Sequence, residues 1–178
     1  MNPKLKSIIF LSIIFNFIFV RPLSANEETS VQYYFDDRYK SHSDSERIAI
    51  LANQRVFYRH ADIFKEALEI YSQSHQNISY SECKENNVSD LIVKLEPDFF
   101  FNPLVQTIYA DLNYYIYKEP SKLIKRGTLT AKKIINIQIL YDVQLTYIYL
   151  EFLNNLSEKL LDSNVQGQTI NGEFCKLI

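Results

Sequence analysis

The residues able to do chemistry are few and scattered. Two cysteines, Cys83 and Cys175, three histidines, His42, His60 and His75, and the adjacent acids Asp36-Asp37 come first. The cysteines are too far apart in sequence for a Cys-x-x-Cys redox motif or a cysteine-based metal site. In an oxidising compartment an even pair predicts one disulfide, closing a loop of about 90 residues and stabilising by about 4–5 kcal/mol on the chain-entropy model. Two separate thiols are the alternative. The histidines share no ligand spacing; even on one helix His60 and His75 would lie roughly 22 Å apart. They read as solvated or capping residues. Asp36 and Asp37 point in different directions and no third ligand follows, so they read as a solvated turn.

With three glycines in the chain there is no phosphate-cradling loop. Gly-x-Ser-x-Gly and His-Glu-x-x-His are absent too. The expectation is a protein with no catalytic residue, no cofactor and no metal. The alternative is a small secreted hydrolase whose active site is assembled from distant residues, since a triad need not be local.

Binding remains. Tyr109, Tyr115 and Tyr117 share one face of a strand and offer an aromatic platform for a protein or glycan partner. Arg126, with Lys122, Lys125, Lys132 and Lys133, makes a basic patch. The competing readings are a tyrosine row covered by the N-terminal arm or a helix, and a sheet edge guarded by lysines.

The stretch that must position these side chains is residues 90–133, read as three consecutive strands. In the second, Ile108, Ala110, Leu112, Tyr114 and Ile116 share one face, and Tyr109, Asp111, Asn113, Tyr115 and Tyr117 the other. That alternation belongs to a half-buried strand. Leu91, Val93 and Leu95 point inward in the first; Leu123, Leu129 and Ala131 do so in the third, opposite Arg126, Thr128, Thr130 and Lys132. Pro97 and Pro103 are expected to bracket the first connection, and Pro120 to lie in the second. A helix over residues 139–161 should cover the sheet, with Gln144, Glu151, Asn155 and Glu158 as its polar stripe and Leu145, Leu150, Phe152, Leu153, Leu156, Leu160 and Leu161 on the apolar remainder.

Ile63, Phe64, Ala67, Leu68, Ile70 and Tyr71 recur at helical spacing, which predicts a second helix over residues 57–74. Residues 47–53 are an apolar run read as a strand, with a helix as the alternative. Ile78-Ser79-Tyr80 is a further short strand. The fold class is therefore α/β (α+β-like), with an antiparallel or mixed sheet of about four to five strands covered by two helices on one face.

A chain of 178 residues has room for one domain, and 47% hydrophobic with 22% charged residues is a globular composition. A net charge of −2 provides no field for nucleic acid. Residues 1–25 read as a signal peptide: Lys4 and Lys6, a short apolar run from Ile8 to Val20, then Leu23-Ser24-Ala25, with cleavage before Asn26. That run is short for a membrane span, though an uncleaved anchor is the alternative. No cysteine stands at the cleavage site to take a lipid. Residues 26–43 are read as an irregular arm, 44–162 as the domain and 163–178 as a tail tethered by Cys175. The expected location is periplasmic or secreted, with no membrane span after cleavage.

The order of Arg47 to Asn53, an amphipathic helix, Ser89-Asp90-Leu91-Ile92-Val93-Lys94-Leu95, a long strand, Leu123-Ile124-Lys125-Arg126-Gly127-Thr128-Leu129-Thr130 and a final helix resembles small bacterial cell-envelope α/β domains. These include the TolB N-terminal domain and auxiliary envelope lipoproteins. The resemblance spans residues 44–162 and rests on pattern; the missing lipid-anchor cysteine departs from the lipoproteins. It implies a non-catalytic accessory module with an envelope partner. An inhibitor-like binder of a secreted enzyme is a neighbouring alternative.

Overall fold

The computed structural model describes residues 28–41, 43–47, 55–119, 122–136, 140–161, 170–171 and 175. The expected signal peptide, His42, Pro120 and the run at 48–53 lie outside them. In chain order the elements are β1 (Thr29–Phe35), α1 (Asp37–Ser41), β2 (Asp44–Arg47), β3 (Arg55–Tyr58), α2 (His60–Ser72), β4 (Ile78–Glu82), β5 (Val88–Ser89), β6 (Leu91–Asn102), β7 (Thr107–Glu119), β8 (Lys122–Ile134), α3 (Tyr141–Leu161) and β9 (Ile170–Asn171).

Five strands form one mixed sheet in the order β4-β1-β6-β7-β8, parallel across β4, β1 and β6 and antiparallel from β6 onward. Strands β2 and β3, and β5 and β9, pair separately as antiparallel ladders. Helices α2 and α3 pack on each other and bury a common core with one face of the sheet. Ile108, Ala110, Leu112, Tyr114 and Ile116 of β7 all point into that core, as their alternation requires. Gly127 lies opposite Tyr114, whose phenol occupies the space a Cβ at Gly127 would need.

Several expectations change. Residues 28–41, expected within an irregular arm at 26–43, contain β1, a strand with neighbours on both sides. Val31, Tyr33 and Phe35 face the helices. Ser30 is clamped from 60 positions away: its N–H and Oγ donate to Asp90 Oδ2 at 2.8 and 2.7 Å, and the Asp90 N–H returns to the Ser30 carbonyl at 3.0 Å. The second helix begins at His60 rather than residue 57, because Phe57 and Tyr58 belong to β3 and Arg59 is extended. The supposed connection from Pro97 to Pro103 is mostly strand. β1 ends opposite Leu95, so beyond it β6 has an open side where a proline forfeits no ladder bond.

Leu123 turns outward because the β7–β8 register shifts beyond Ile116 and sets it opposite Tyr117. Gln144 is 1% exposed, not part of a polar stripe. Its carboxamide accepts from the Asn136 N–H at 2.8 Å and donates to the Asn136 carbonyl at 3.1 Å, closing the entry to α3. Leu161 is exposed. Among the described residues no helix is long and apolar enough to cross a membrane.

Candidate functional site

The sheet face away from the helices carries the side chains singled out for binding, and it divides into three zones. At one end Ile92 of β6 packs with Cys83, Cys175 and Ile170, and Tyr34 and Tyr117 lie against them. Cys83 and Cys175 are disulfide-bonded with Cα atoms 6.1 Å apart, and β9 pairs with β5 beside them. Tyr117 is therefore partly covered by the tethered tail and helps hold it.

In the middle, Lys94, Tyr115 and Arg126 are cross-strand neighbours. The Tyr115 hydroxyl donates to Glu96 at 3.2 Å, and Lys94 reaches the same carboxylate at 3.1 Å. The Glu96 charge, ahead of burial, raises the Tyr115 pKa above its ordinary value. Tyr109 sits six residues from Tyr115, about 20 Å along the strand. Tyr109, Tyr115 and Tyr117 thus do not make one continuous platform.

The third zone is the end of the sheet where β6 turns into β7. Phe100 and Tyr109 are paired across the strands with ring centroids 6.4 Å apart and planes 30° from parallel, and the Lys132 ammonium lies 5.3 Å from the Tyr109 ring. Beyond them the turn thrusts Leu104 (81% exposed) and Val105 into solvent, with Ile134 (72%) paired beside Thr107. This tip is tightly built. The Leu104 N–H donates to Asn102 Oδ1 at 3.0 Å, Thr107 Oγ1 to the Val105 carbonyl at 2.9 Å, and the Ile135 N–H to the Gln106 carbonyl at 2.7 Å. Gln106 holds φ at 48°, the left-handed region that side chains avoid. The chain accepts that strain and still leaves two aliphatic side chains in water. These exposed apolar side chains make this end of the sheet a candidate contact surface.

His60 is 3% exposed, not solvated. It borders a cavity of about 460 Å³ lined also by Asp44, Glu96, Asp98, Arg38 and Asn113. A histidine beside carboxylates in a cleft is what a hydrolase would show, but both ring nitrogens are already engaged. Nδ1 lies 2.7 Å from the Tyr149 hydroxyl and Nε2 3.1 Å from Asp44 Oδ2. An ionised carboxylate can only accept, so Nε2–H donates to Asp44 and Nδ1 accepts from Tyr149. Burial lowers the His60 pKa to about 4. Asp44 pulls the other way, but its carboxylate is 42% exposed and shares its charge with solvent. The ring is a neutral joint between β2, α2 and α3, with no lone pair left for a substrate proton. His75 stacks on Tyr71 with centroids 4.1 Å apart and approaches the Tyr71 carbonyl, the capping role expected of it. Among the described residues no cluster of His, Cys, Asp or Glu has the makings of a metal site.

No protein-family model matches the chain, and no curated protein matches it. Two solved structures share features of its shape. One is a crystal structure of an uncharacterized protein, 9% identical with a TM-score of 0.49, matched over 74% of this chain and 90% of that one. The other is a minor lipoprotein from Acinetobacter baumannii, 8% identical with a TM-score of 0.40, over 75% and 92%. At these values the likeness assigns neither family nor function.

Sequence reasoning placed Tyr109 correctly on the open face and missed Phe100, Leu104 and Val105. A signal was present: an apolar pair directly after Asn102-Pro103 occupies a hairpin turn, where polar residues are the rule.

Proposed function

We propose that the chain is an exported accessory module of the cell envelope which holds a protein partner, without catalysis or cofactor, on the end of the sheet formed by Leu104, Val105, Ile134, Phe100 and Tyr109. The observation that carries this reading is the apolar tip kept in water by three hydrogen bonds and a left-handed Gln106. The aliphatic side chains favour a protein over a glycan, because a sugar platform needs polar groups around its stacking ring. Tyr115 and Arg126, six residues further along β7 and β8, lie outside this surface. Export rests on the charged, apolar and small-residue order of residues 1–25 together with the disulfide.

A photo-crosslinking side chain at position 104, introduced in cells, is expected to give discrete protein adducts. The same probe at Glu66, on the exposed side of α2, should give none. Equal yields at both positions, or no adduct at 104, would overturn the assignment.

A further inference from the structure

The sheet has two edges, and they are guarded unequally. β8 carries Lys122, Lys125, Arg126, Lys132 and Lys133, the charge pattern that discourages a strand edge from pairing with other chains. β4 reads Ile78-Ser79-Tyr80-Ser81-Glu82, without lysine or proline. Its inner side is taken by β1: the Thr29 N–H donates to the Asn77 carbonyl at 3.1 Å and the Cys83 N–H to the Tyr33 carbonyl at 2.9 Å. The odd-numbered residues thus turn their backbone groups toward β1. Successive residues of an extended strand alternate in this respect, so the N–H and C=O groups of Ile78, Tyr80 and Glu82 turn to the open edge. Among the described residues no strand pairs with that edge.

Beside the edge runs a cavity of about 730 Å³, within the size range of ligand sites. Leu68, Ile78 and Tyr80 line its apolar part, and α2 contributes Lys65, Glu69 and Ser72. An edge strand with a helix wall beside it is the arrangement by which sheets capture extended peptides. The rim is acidic: Glu28, Glu69 and Glu82 stand against Lys65, with Lys40 reaching Glu82 at 3.7 Å from α1. Tyr33, in the same cavity, reports the negative field. Burial pushes its hydroxyl up to about 12, with Glu82 and then Glu69 adding to the rise.

We propose that this groove binds an extended basic segment of another protein, which adds to β4 as a new edge strand and sets a lysine or arginine between Glu28 and Glu69. The surface is separate from the apolar tip, and either can fail without the other. Backbone pairing supplies affinity irrespective of sequence, and the carboxylates select charge.

The test uses the disulfide-intact full chain and three capped hexapeptides: alternating Val and Lys, alternating Val and Glu, and the lysine peptide N-methylated at alternate residues. Fluorescence anisotropy should show the lysine peptide binding at least tenfold more tightly than either of the others. In amide exchange followed by NMR, the Tyr80 and Glu82 amides should gain protection on peptide addition, while those of Ser79 and Ser81, already turned to β1, should not. Glu28→Lys with Glu69→Lys, both at exposed positions, should reverse the preference toward the glutamate peptide. Equal binding of the lysine and glutamate peptides would overturn the proposal, as would binding without protection of Tyr80 and Glu82. Protection that grows with protein concentration and no peptide would also overturn it, by making a second copy of the chain the occupant.

Discussion

A proton on His60 would place a charge where water hardly reaches. Its ring is ringed by Tyr39, Tyr58, Phe99 and Tyr149, and its two nitrogens are committed. The unfolded chain binds that proton near the ordinary histidine value of about 6.5, whereas the folded chain resists until about pH 4. Between these limits the unfolded state holds more protons, so stability falls as pH is lowered through the window. The full loss is about 3 kcal/mol, and above the upper limit the residue contributes no pH dependence. Urea midpoints at pH 7 and pH 4.5 should separate accordingly. Replacing the pair together, His60→Phe with Tyr149→Phe, removes the titrating ring without leaving a phenol unpaired, and should flatten the difference. An unchanged difference would place the acid sensitivity elsewhere. The sequence names this histidine but not its surroundings, because Tyr149 is 89 positions away.

At the scale of elements, one hydroxyl ties three of them together. Ser157 of α3 accepts from Tyr71 of α2 at 2.8 Å, lies 2.9 Å from the Tyr80 hydroxyl of β4, and donates to the Leu153 carbonyl one turn back at 2.8 Å. Burial raises the Tyr80 pKa above its ordinary value, with the Ser157 hydrogen bond opposing it. Ser157→Ala strips both phenols of that partner, at about 1–3 kcal/mol for each buried group left unsatisfied. Chemical denaturation should register a loss of at least about 2 kcal/mol; a neutral substitution would mean that water reaches the site. Local pattern was enough to find β7, whose period of two is clean, and to find α2 and α3 from their spacing. It was not enough for β1. Val31, Tyr33 and Phe35 alternate correctly, but three apolar residues beside Gln32 and Tyr34 look like an arm until the partners are known. Those partners are Ile78 to Glu82 and Leu91 to Leu95, reached by parallel pairing that leaves no hairpin signal. The polar Gln144 misled for a related reason, since the Asn136 backbone it satisfies lies in the segment after β8, outside the helix. On the open face, parity along β7 located Tyr109, Tyr115 and Tyr117, yet only the folded tail decides that Tyr117 is covered.

Taken whole, the molecule is closed by one covalent link. The disulfide joins the loop after β4 to the C-terminal region across a separation of 92 residues. The buried core beneath α2 and α3 does not include it, so the reduced chain should still fold. Its stability should drop by about 4–5 kcal/mol on the chain-entropy model. Comparing unfolding midpoints of the oxidised protein and the Cys83→Ser, Cys175→Ser variant measures this directly. A loss below about 1 kcal/mol would show that the unfolded chain keeps this loop compact without the link. The pairing of Cys83 with Cys175 was legible because only one pairing exists; its position over Ile92 and Tyr117 was not, since nothing local links the tail to β6.

The position of β1 also has a history in synthesis. It is the first strand of the sheet to be made, and it belongs between β4 and β6. Its clamp to Asp90 spans 60 residues, which at a synthesis rate of about 5–20 residues per second means several seconds before both neighbours exist. Throughout that interval Val31, Tyr33, Tyr34 and Phe35 form an aromatic, strand-prone stretch with neither flank paired. The newborn chain therefore carries a strand-prone segment that stays incompletely paired until Asp90 has been made.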